Sequence, residues 1–260
     1  MQDILKVEKR TDSIVRLILN DEKSGNSLSD EMISLMSSRL EEISNNEDIK
    51  VVVIASTGKI FCAGHNLKEM TEARQNNDEG KSYFTNLFQS CSDMMQSIVN
   101  CPKPVIAEID GIATAAGCQL VASCDLAIAS DTSSFATPGV NLGLFCSTPM
   151  VALSRNVKKK DAMKMLLTGE MIDAEEAKRI SLINDYVVSE KLSVEVMNLA
   201  KKIASKSMKT VNIGKSAFYK QAELSLSDAY RYTSEVMAKN IMNDDAKEGI
   251  ASFIEKRKPN

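Results

Sequence analysis

The chain has 260 residues, 43% of them hydrophobic, which is enough for one large core or for one core with a helical appendage. Acidic and basic residues are mixed along it and leave a net charge of −3, which argues against a general nucleic-acid-binding protein. His65 is the single histidine. The composition therefore excludes a multi-histidine metal site and argues against a serine–histidine–aspartate triad.

The cysteines and the N-terminus indicate a cellular compartment. None of the six cysteines forms a CxxC pair, and their apolar or small neighbours are typical of free thiols in a reducing environment. Residues 1–6 carry neither an apolar run nor an arginine-rich amphipathic stretch, and no apolar run is long enough to cross a membrane. We therefore expect a cytoplasmic protein without disulfides and without membrane association. The cysteines are Cys62, Cys91, Cys101, Cys118, Cys124 and Cys146.

The first third of the chain predicts a hairpin, a helix and a buried strand. Two strand-like segments, 4–7 and 14–19, are separated by polar residues and predict the hairpin. The run Asn-Ser-Leu-Ser at 26–29 opens the helix, whose apolar residues follow helical spacing. The wholly apolar run 51–55 is typical of a strand covered on both faces. The apolar positions of the helix are Leu28, Met32, Leu35, Met36, Leu40 and Ile43.

The remaining elements divide the chain into two regions. A helix is predicted over 83–99, and buried strands are predicted over 105–109 and 125–129. This alternation of buried strand, small-residue turn and helix predicts an α/β core of ββα-like units over residues 1–190. Residues 191–260 contain only helical patterns, which form either a small helical domain or helices that pack on a neighbouring subunit. These helices are predicted over 190–205, 207–221, 225–241 and 244–256.

Two runs of small residues, at 61–70 and 110–119, carry the strongest functional signal. Each lies where a predicted strand turns into a helix, and such junctions leave backbone N–H groups unpaired and pointing outward. Two junctions that converge on one point form an oxyanion hole, which stabilises an enolate or a tetrahedral oxyanion. The pair predicts chemistry on a carbonyl compound. The runs read Phe-Cys-Ala-Gly-His-Asn-Leu-Lys-Glu-Met and Asp-Gly-Ile-Ala-Thr-Ala-Ala-Gly-Cys-Gln.

In their order and separation, the two junctions resemble the enoyl-CoA hydratase/isomerase (crotonase) superfamily. The resemblance implies a spiral of ββα repeats that carries the acyl-CoA site. It also implies a C-terminal helical region that mediates trimerisation and covers coenzyme A, in a homotrimer or a dimer of trimers. Further matching segments run almost the length of the chain, at 17–20, 26–29, 104–107, 124–129, 135–138, 166–170 and 248–258.

The same resemblance implies an acyl-CoA substrate and assigns its binding residues. The thioester oxygen would lie between the backbone N–H groups of His65 and Ala116. Phe253 and Lys256 match positions that pack on adenine and pair with phosphate in a neighbouring subunit. No cofactor is implied beyond the coenzyme A of the substrate. The substrate-binding residues assigned in this way are Ala63, His65, Asn66, Leu67, Lys68, Ala116, Gly117, Phe253 and Lys256.

The chain departs from the family at both acid–base positions. Hydratases of this family use two glutamates, whose carboxyl groups flank the water that is added. The corresponding positions here hold Gln119 and Gly139. A glutamine amide can orient water but does not transfer protons near pH 7. Because loss of one acid–base group costs about 100- to 10,000-fold in rate, ordinary hydration should be nearly abolished.

Four replacements for the missing carboxylates stay open at this stage. Asp125 is the nearest carboxylate, although a Cys-Asp pair at that point is usually structural. The His65 imidazole flanks the hole and has a suitable ordinary pKa. Cys146 is either a nucleophile or part of the pocket wall. Gly139 leaves space that a bicarbonate ion, or a carboxylate of the substrate, would fill.

The sequence therefore predicts an enzyme of the enoyl-CoA hydratase/isomerase type whose hydratase activity is low. The retained hole is sufficient for other reactions through a thioester enolate, such as decarboxylation, hydrolysis or isomerisation. A non-catalytic acyl-CoA-binding protein is the remaining alternative.

Overall fold

The computed structural model describes residues 3–11 and 13–258. The predicted regions 1–190 and 191–260 include residues 1–2 and 259–260, which lie outside the described residues. The strands are β1 (Leu5–Thr11), β2 (Ile14–Leu19), β3 (Val51–Ser56), β4 (Ile60–Cys62), β5 (Val105–Ile109), β6 (Ile112–Thr114), β7 (Leu126–Ser130), β8 (Ser134–Ala136), β9 (Ile172–Asp173) and β10 (Asp185–Val187). The helices are α1 (Asp30–Ser44), α2 (Leu67–Ala73), α3 (Lys81–Asn100), α4 (Ala116–Ser123), α5 (Pro149–Asn156), α6 (Lys159–Thr168), α7 (Ala174–Arg179), α8 (Ser189–Ala204), α9 (Met208–Ala222), α10 (Leu226–Ile241) and α11 (Asp244–Ile254).

The strands form two sheets that the chain visits in turn. One sheet has the order β1-β2-β3-β5-β7-β10 and the other has the order β4-β6-β8-β9. The chain makes three successive passes: β3 with β4, β5 with β6, and β7 with β8. Each pass places one strand in each sheet and then continues into helices. Strands of successive passes pair in parallel. The predicted α/β spiral of ββα repeats is confirmed.

The central strands are apolar throughout because both of their faces are covered. In β3, Val52 and Ile54 belong to the main core cluster, which also contains α1, α3 and α4. Val51 and Val53 point the other way and pack in a second cluster with α8, whose contribution includes Val196. The run 51–55 therefore shows no alternation in sequence although it forms a strand.

The predicted hairpin and first helix are confirmed. Strands β1 and β2 pair antiparallel. Helix α1 begins at Asp30 because the Ser29 side chain accepts a hydrogen bond from the Met32 N–H at 3.2 Å and caps the helix. Asn26, at φ 52°, donates its side-chain amide to the carbonyls of Thr57 and Ile60. The run 26–29 thus anchors the start of α1 to the turn between β3 and β4.

Asp125 attaches the C-terminal helices to the spiral. Its carboxylate accepts hydrogen bonds from the Val105 N–H at 2.7 Å, from the Lys215 ammonium at 2.6 Å and from the Tyr219 hydroxyl at 2.8 Å. Lys215 and Tyr219 both lie on α9. The carboxylate is fully engaged, so the structural interpretation of the Cys-Asp pair holds and a role for Asp125 as a base is not supported.

Several short elements do not follow from the sequence pattern. Helix α7 has six residues, α2 has seven, and β9 has two. Periodicity needs about 11 residues to become visible, so segments this short carry none. Within the described residues, no helix combines the length and apolar character that a membrane span requires.

Candidate active site

The two small-residue junctions meet at one point. Strand β4 pairs in parallel with β6, so their carboxyl ends lie side by side. The Thr114 hydroxyl, at the end of β6, donates to the Ala63 carbonyl at 3.1 Å. A methyl group built on Gly64 would lie 3.2 Å from the Ala116 nitrogen and 3.0 Å from the Ala115 Cβ. The fold therefore brings residues 63–65 into contact with the start of α4.

Two backbone amides are free at this meeting point. Among the described residues, neither the His65 N–H nor the Ala116 N–H donates a hydrogen bond to a protein group. The peptides around them are fixed, since the Leu28 N–H donates to the Gly64 carbonyl at 2.7 Å and the Ala63 N–H donates to the Gly25 carbonyl at 3.0 Å. Buried N–H groups are normally paired. Unpaired N–H groups on adjoining segments are donors of the kind that bind a carbonyl oxygen.

Backbone conformation at the site is unusual. Gly64 has φ +92°, which favours glycine. Ala115 has φ 50° and ψ −118°, also a glycine-favoured region, and it immediately precedes the first residue of α4. A methyl group on Gly117 would lie 2.1 Å from the Cys62 carbonyl oxygen. Gly117 therefore allows α4 to pack closely on β4.

The His65 ring is uncharged, and its nitrogens are buried. It packs edge-to-face on Phe88 with ring centroids 5.4 Å apart, and both ring nitrogens are buried without a hydrogen-bond partner. Burial lowers the pKa of His65, and this effect exceeds the opposing influences of the Leu28 carbonyl and the Asp30 carboxylate. The ring is therefore neutral at pH 7.

The Glu69 carboxylate, which the sequence analysis did not single out, lies next to Asp30, whose charge acts on His65. The Glu69 carboxylate accepts from the Asp30 N–H at 3.1 Å, and the Tyr83 hydroxyl donates to the Asp30 carboxylate at 3.3 Å. Burial, followed by the charge of Asp30, raises the pKa of Tyr83. Asp30 and Tyr83 line a cavity of about 490 Å³ between α1 and α3, which does not include His65 or Ala116 in its lining. Asp30 and Tyr83 therefore face a groove whose lining excludes the two amides.

Gln119 lies one helical turn beyond the free amide of Ala116. Its backbone N–H donates to the Ala115 carbonyl at 3.1 Å. The residue is 4% exposed, and its side-chain oxygen is buried without a hydrogen-bond partner. The Thr137 hydroxyl, in a fully buried residue, also lacks a partner. Sequence reasoning missed Thr137, because only the tertiary structure shows that its hydroxyl is unpaired.

The space expected at Gly139 is occupied by the protein itself. A methyl group on Gly139 would lie 2.8 Å from the Cys146 sulfur and 2.8 Å from the Leu144 carbonyl oxygen. The cause is a tight turn after residues 138–142, in which the Leu144 N–H donates to the Gly139 carbonyl at 2.9 Å. The expectation that glycine opens a vacant space in this direction is wrong.

The cysteines are free, buried thiols. Burial raises the pKa of Cys146 more than a hydrogen bond from the Gly139 backbone lowers it. Burial also raises the pKa of Cys118 to about 12. Because the thiolate is the reactive form, Cys146 fits the pocket-wall interpretation better than the nucleophile interpretation.

The residues implied at the coenzyme A end are placed as follows. Asn66 caps α2 by accepting from the Lys68 N–H at 3.0 Å, and Leu67 is exposed. Phe253, on α11, is 84% exposed, and Lys256 follows that helix with φ 53°. Roles for Phe253 and Lys256 at the adenine stay predictions. Among the described residues, no cluster of three or more histidine, cysteine, aspartate or glutamate side chains is arranged to hold a metal ion.

Comparisons with known proteins identify the class to which this fold and these junctions belong. The family model described as enoyl-CoA hydratase/isomerase matches residues 9–260. The chain therefore belongs to the enoyl-CoA hydratase/isomerase family.

Individual relatives and solved structures support this assignment. The chain is 48% identical over 251 residues to mitochondrial enoyl-CoA hydratase domain-containing protein 3 of Mus musculus, covering 96% of this chain and 82% of the relative. The crystal structure of the human protein of that name superposes with a TM-score of 0.93 at 46% identity, covering 99% of both chains. An enoyl-CoA hydratase of Mycobacterium smegmatis superposes with a TM-score of 0.95 at 43% identity, covering 100% of this chain and 99% of that one.

The expectation of a cytoplasmic protein is wrong. The relatives that match at 47–49% identity are named mitochondrial. Net charge and cysteine content describe the folded domain and do not encode an organelle address, so they could not have separated the two compartments.

Proposed function

We propose that this protein binds an acyl-CoA thioester and stabilises the enolate of its acyl group between the backbone N–H groups of His65 and Ala116. The observation that supports the proposal is the contact of residues 63–65 with the start of α4, where neither the His65 N–H nor the Ala116 N–H donates to a protein group among the described residues. A thioester oxygen that accepts from both amides gains negative charge as the enolate forms. Fixed donors aimed at developing charge contribute about 100- to 1,000-fold to rate for each donor.

Ordinary hydration is expected to be slow. Gln119 has no ionisable group, and Cys146 and the Leu144 carbonyl occupy the direction in which a side chain at 139 would project. Neither position supplies the proton transfers that addition of water requires. The enolate is therefore formed through a group other than two protein carboxylates, such as a substrate carboxylate, bicarbonate or water, or the thioester is bound without turnover.

Assembly as a homotrimer or a dimer of trimers belongs to the same proposal. Helices α10 and α11 expose large apolar side chains, among them Leu226 at 76% and Phe253 at 84%. Exposed apolar surface of this kind is typical of an interface. A neighbouring copy would cover these helices, and Phe253 and Lys256 would then meet its coenzyme A. Sedimentation analysis of the wild type and of Phe253→Asp, which should dissociate more readily, tests this arrangement.

The decisive experiment separates binding from chemistry. Affinity for butyryl-CoA is measured by calorimetry, and crotonyl-CoA hydration is followed with and without bicarbonate. Ala116→Pro deletes one amide while proline fits the first position of a helix. Ala174→Pro, at the first position of α7 and equally buried, is the matched control. We expect wild-type binding, weaker binding by Ala116→Pro, and little hydration by any of the three proteins.

The outcomes discriminate among the candidates. Rapid hydration by the wild type would contradict the argument from the missing glutamates, and its dependence on bicarbonate would show whether the base is borrowed. Hydration gained in a Gln119→Glu/Gly139→Glu/Cys146→Gly variant would show that an acyl-CoA site lacks only the acid–base pair. Cys146 is changed in that variant to remove the sulfur 2.8 Å from the new Cβ, and the Leu144 carbonyl has to shift to admit the side chain. Failure of butyryl-CoA to bind would overturn the proposal.

We also propose a mitochondrial location, on the names of the relatives alone. Import of the protein into isolated mitochondria, followed by protease protection, tests it.

A further inference from the structure

One side-chain hydrogen bond joins the two junctions. The Thr114 hydroxyl, at the end of β6, donates at 3.1 Å to the carbonyl of Ala63, the residue that follows β4. Within residues 3–11 and 13–258, no other side chain of 110–119 forms a hydrogen bond with residues 61–70. The backbone pairing of β4 with β6 ends before the two free amides. Thr114 is therefore the side chain placed to set how those amides lie relative to each other.

On the His65 side, this hydrogen bond fixes a flexible part of the backbone. Gly64, at φ +92°, joins two peptide groups, and glycine offers little resistance to rotation between them. The second of these peptide groups carries the free His65 N–H, and its carbonyl accepts from the Leu28 N–H at 2.7 Å. The first carries the Ala63 carbonyl, which Thr114 holds. Because both peptide groups are anchored, the direction of the His65 N–H is set.

On the Ala116 side, the threonine precedes a residue in an unfavourable conformation. Ala115 has φ 50° and ψ −118°, and the next peptide group carries the free Ala116 N–H. A residue in such a region keeps its conformation only where the surrounding structure fixes it. The Ala115 N–H donates to the Ala136 carbonyl at 2.9 Å, and the Thr114 hydroxyl adds a second attachment one residue earlier.

We propose that Thr114 is a positioning residue, whose hydroxyl holds the Ala63 carbonyl so that the two free N–H groups point at the same thioester oxygen. The inference rests on the proposed function, in which the His65 and Ala116 amides bind that oxygen. Thr114 acts through the backbone in this role and transfers no proton. Its loss should therefore weaken the polarisation of the bound thioester carbonyl.

The test measures that polarisation directly. Butyryl-CoA labelled with ¹³C at the thioester carbonyl is bound to the protein, and the infrared stretching frequency of this carbonyl is recorded. Hydrogen bonds to the oxygen weaken the C=O bond and lower the frequency. Calorimetry fixes the ligand concentration that saturates each variant, so that differences in affinity do not enter the comparison.

The wild type should lower the carbonyl frequency relative to that of free butyryl-CoA. Thr114→Val keeps the branched shape of the side chain and removes the donor. We expect it to lose about half of the lowering, because one of the two donors is no longer aimed at the oxygen. Thr114→Ser keeps the hydroxyl and should retain the wild-type frequency.

Thr57→Val is the matched control. Thr57 follows the end of β3 and is half-buried, as Thr114 is. Its hydroxyl donates to the Asn20 side-chain oxygen at 3.3 Å and lies outside both junctions. The variant should leave the carbonyl frequency unchanged.

The results separate this inference from the proposed function. Equal frequencies in the wild type and Thr114→Val would overturn the inference and leave acyl-CoA binding at the amides intact. Equal losses in Thr114→Val and Thr114→Ser, or in Thr114→Val and Thr57→Val, would also overturn it, since the Thr114 hydroxyl would then have no special effect. A wild type that binds no butyryl-CoA, or binds it without lowering the frequency, would overturn the proposed function as well.

Discussion

The spiral core and the last three helices of this chain, α9 to α11, are built on opposite principles. In the core, helix α4 buries all eight of its residues and β5 buries all five. In the C-terminal region, α9 buries only Ala217, and α10 buries only Ala229. The core is held by its own packing, whereas the large apolar side chains of the last three helices lie on the surface of the chain. Those side chains include Phe218, Leu226, Tyr230, Met237, Ile241 and Phe253.

This difference shows how the two regions are joined. Packing contributes little to α9, so its attachment depends on polar contacts. Lys215 is 8% exposed and reaches Asp125 together with the backbone carbonyls of Ile98 and Lys103. Helices that expose apolar surface and are attached largely through one buried ion pair are suited to packing against another copy of the chain.

The largest effect is expected from breaking the connection between the regions. Lys215→Met leaves the largely buried Asp125 carboxylate without its cation, and loss of one partner of a buried pair costs about 3–5 kcal/mol. The matched control is Lys178→Met, because the Lys178–Asp185 pair is exposed and solvent-screened and should contribute far less to stability. Urea unfolding of the two variants and the wild type measures both losses of unfolding free energy. Similar losses in the two variants would show that the attachment of α9 does not depend on Lys215.

A glycine-to-alanine substitution should change the free energy of unfolding in opposite directions in the two regions. Gly117→Ala in α4 forces a methyl group to 2.1 Å from the Cys62 carbonyl, and overpacking of this kind costs about 1–3 kcal/mol. Gly214→Ala in α9 meets no atom within 4 Å and should stabilise the helix by about 0.5–1 kcal/mol. Thermal unfolding of the two variants tests the contrast. Destabilisation by Gly214→Ala would indicate that a neighbouring copy lies against this face.

The pH dependence of core stability should depend on His65. Because burial lowers its pKa, the unfolded chain binds a proton at this residue more readily than the folded chain does. The folded state is therefore favoured fully above the ordinary pKa of about 6.5 and loses stability as the pH falls below it. His65→Gln should reduce the difference in unfolding free energy between about pH 7.5 and about pH 5.5. Equal differences in the two proteins would show that the ring is accessible to protons in the folded state.

The smallest effect is expected at Ala115. A non-glycine residue in its backbone region costs about 1–3 kcal/mol, whereas glycine adds about 0.5–1 kcal/mol of chain entropy to the unfolded state. Ala115→Gly should therefore stabilise the protein slightly, with a net gain below about 2 kcal/mol. Ala136→Gly, in β8 and without a positive φ, should destabilise it. If Ala115→Gly lowered the free energy of unfolding as much as Ala136→Gly does, the backbone at Ala115 would not be strained.

The sequence alone determined the elements that are long or carry motifs. The run 51–55, the cap at Ser29 and the four C-terminal helices follow from local periodicity and capping, which act over a few residues. The two junctions at 61–70 and 110–119 were recognisable because their small residues are a local requirement of a tight turn. Membership of the family and the spiral fold followed from those junctions.

Only the tertiary structure decided what occupies the space around the junctions. In the sequence, Gly139 indicates only that a side chain is missing. In the fold, the Cys146 sulfur and the Leu144 carbonyl lie where that side chain would project. Asp125 in sequence is a free carboxylate, but in the fold it is engaged by residues about 90 positions away. Whether Gln119 and Thr137 have partners is likewise a property of contacts through space. Local patterns report the backbone, whereas the protonation, pairing and accessibility of a side chain depend on neighbours that only folding brings together.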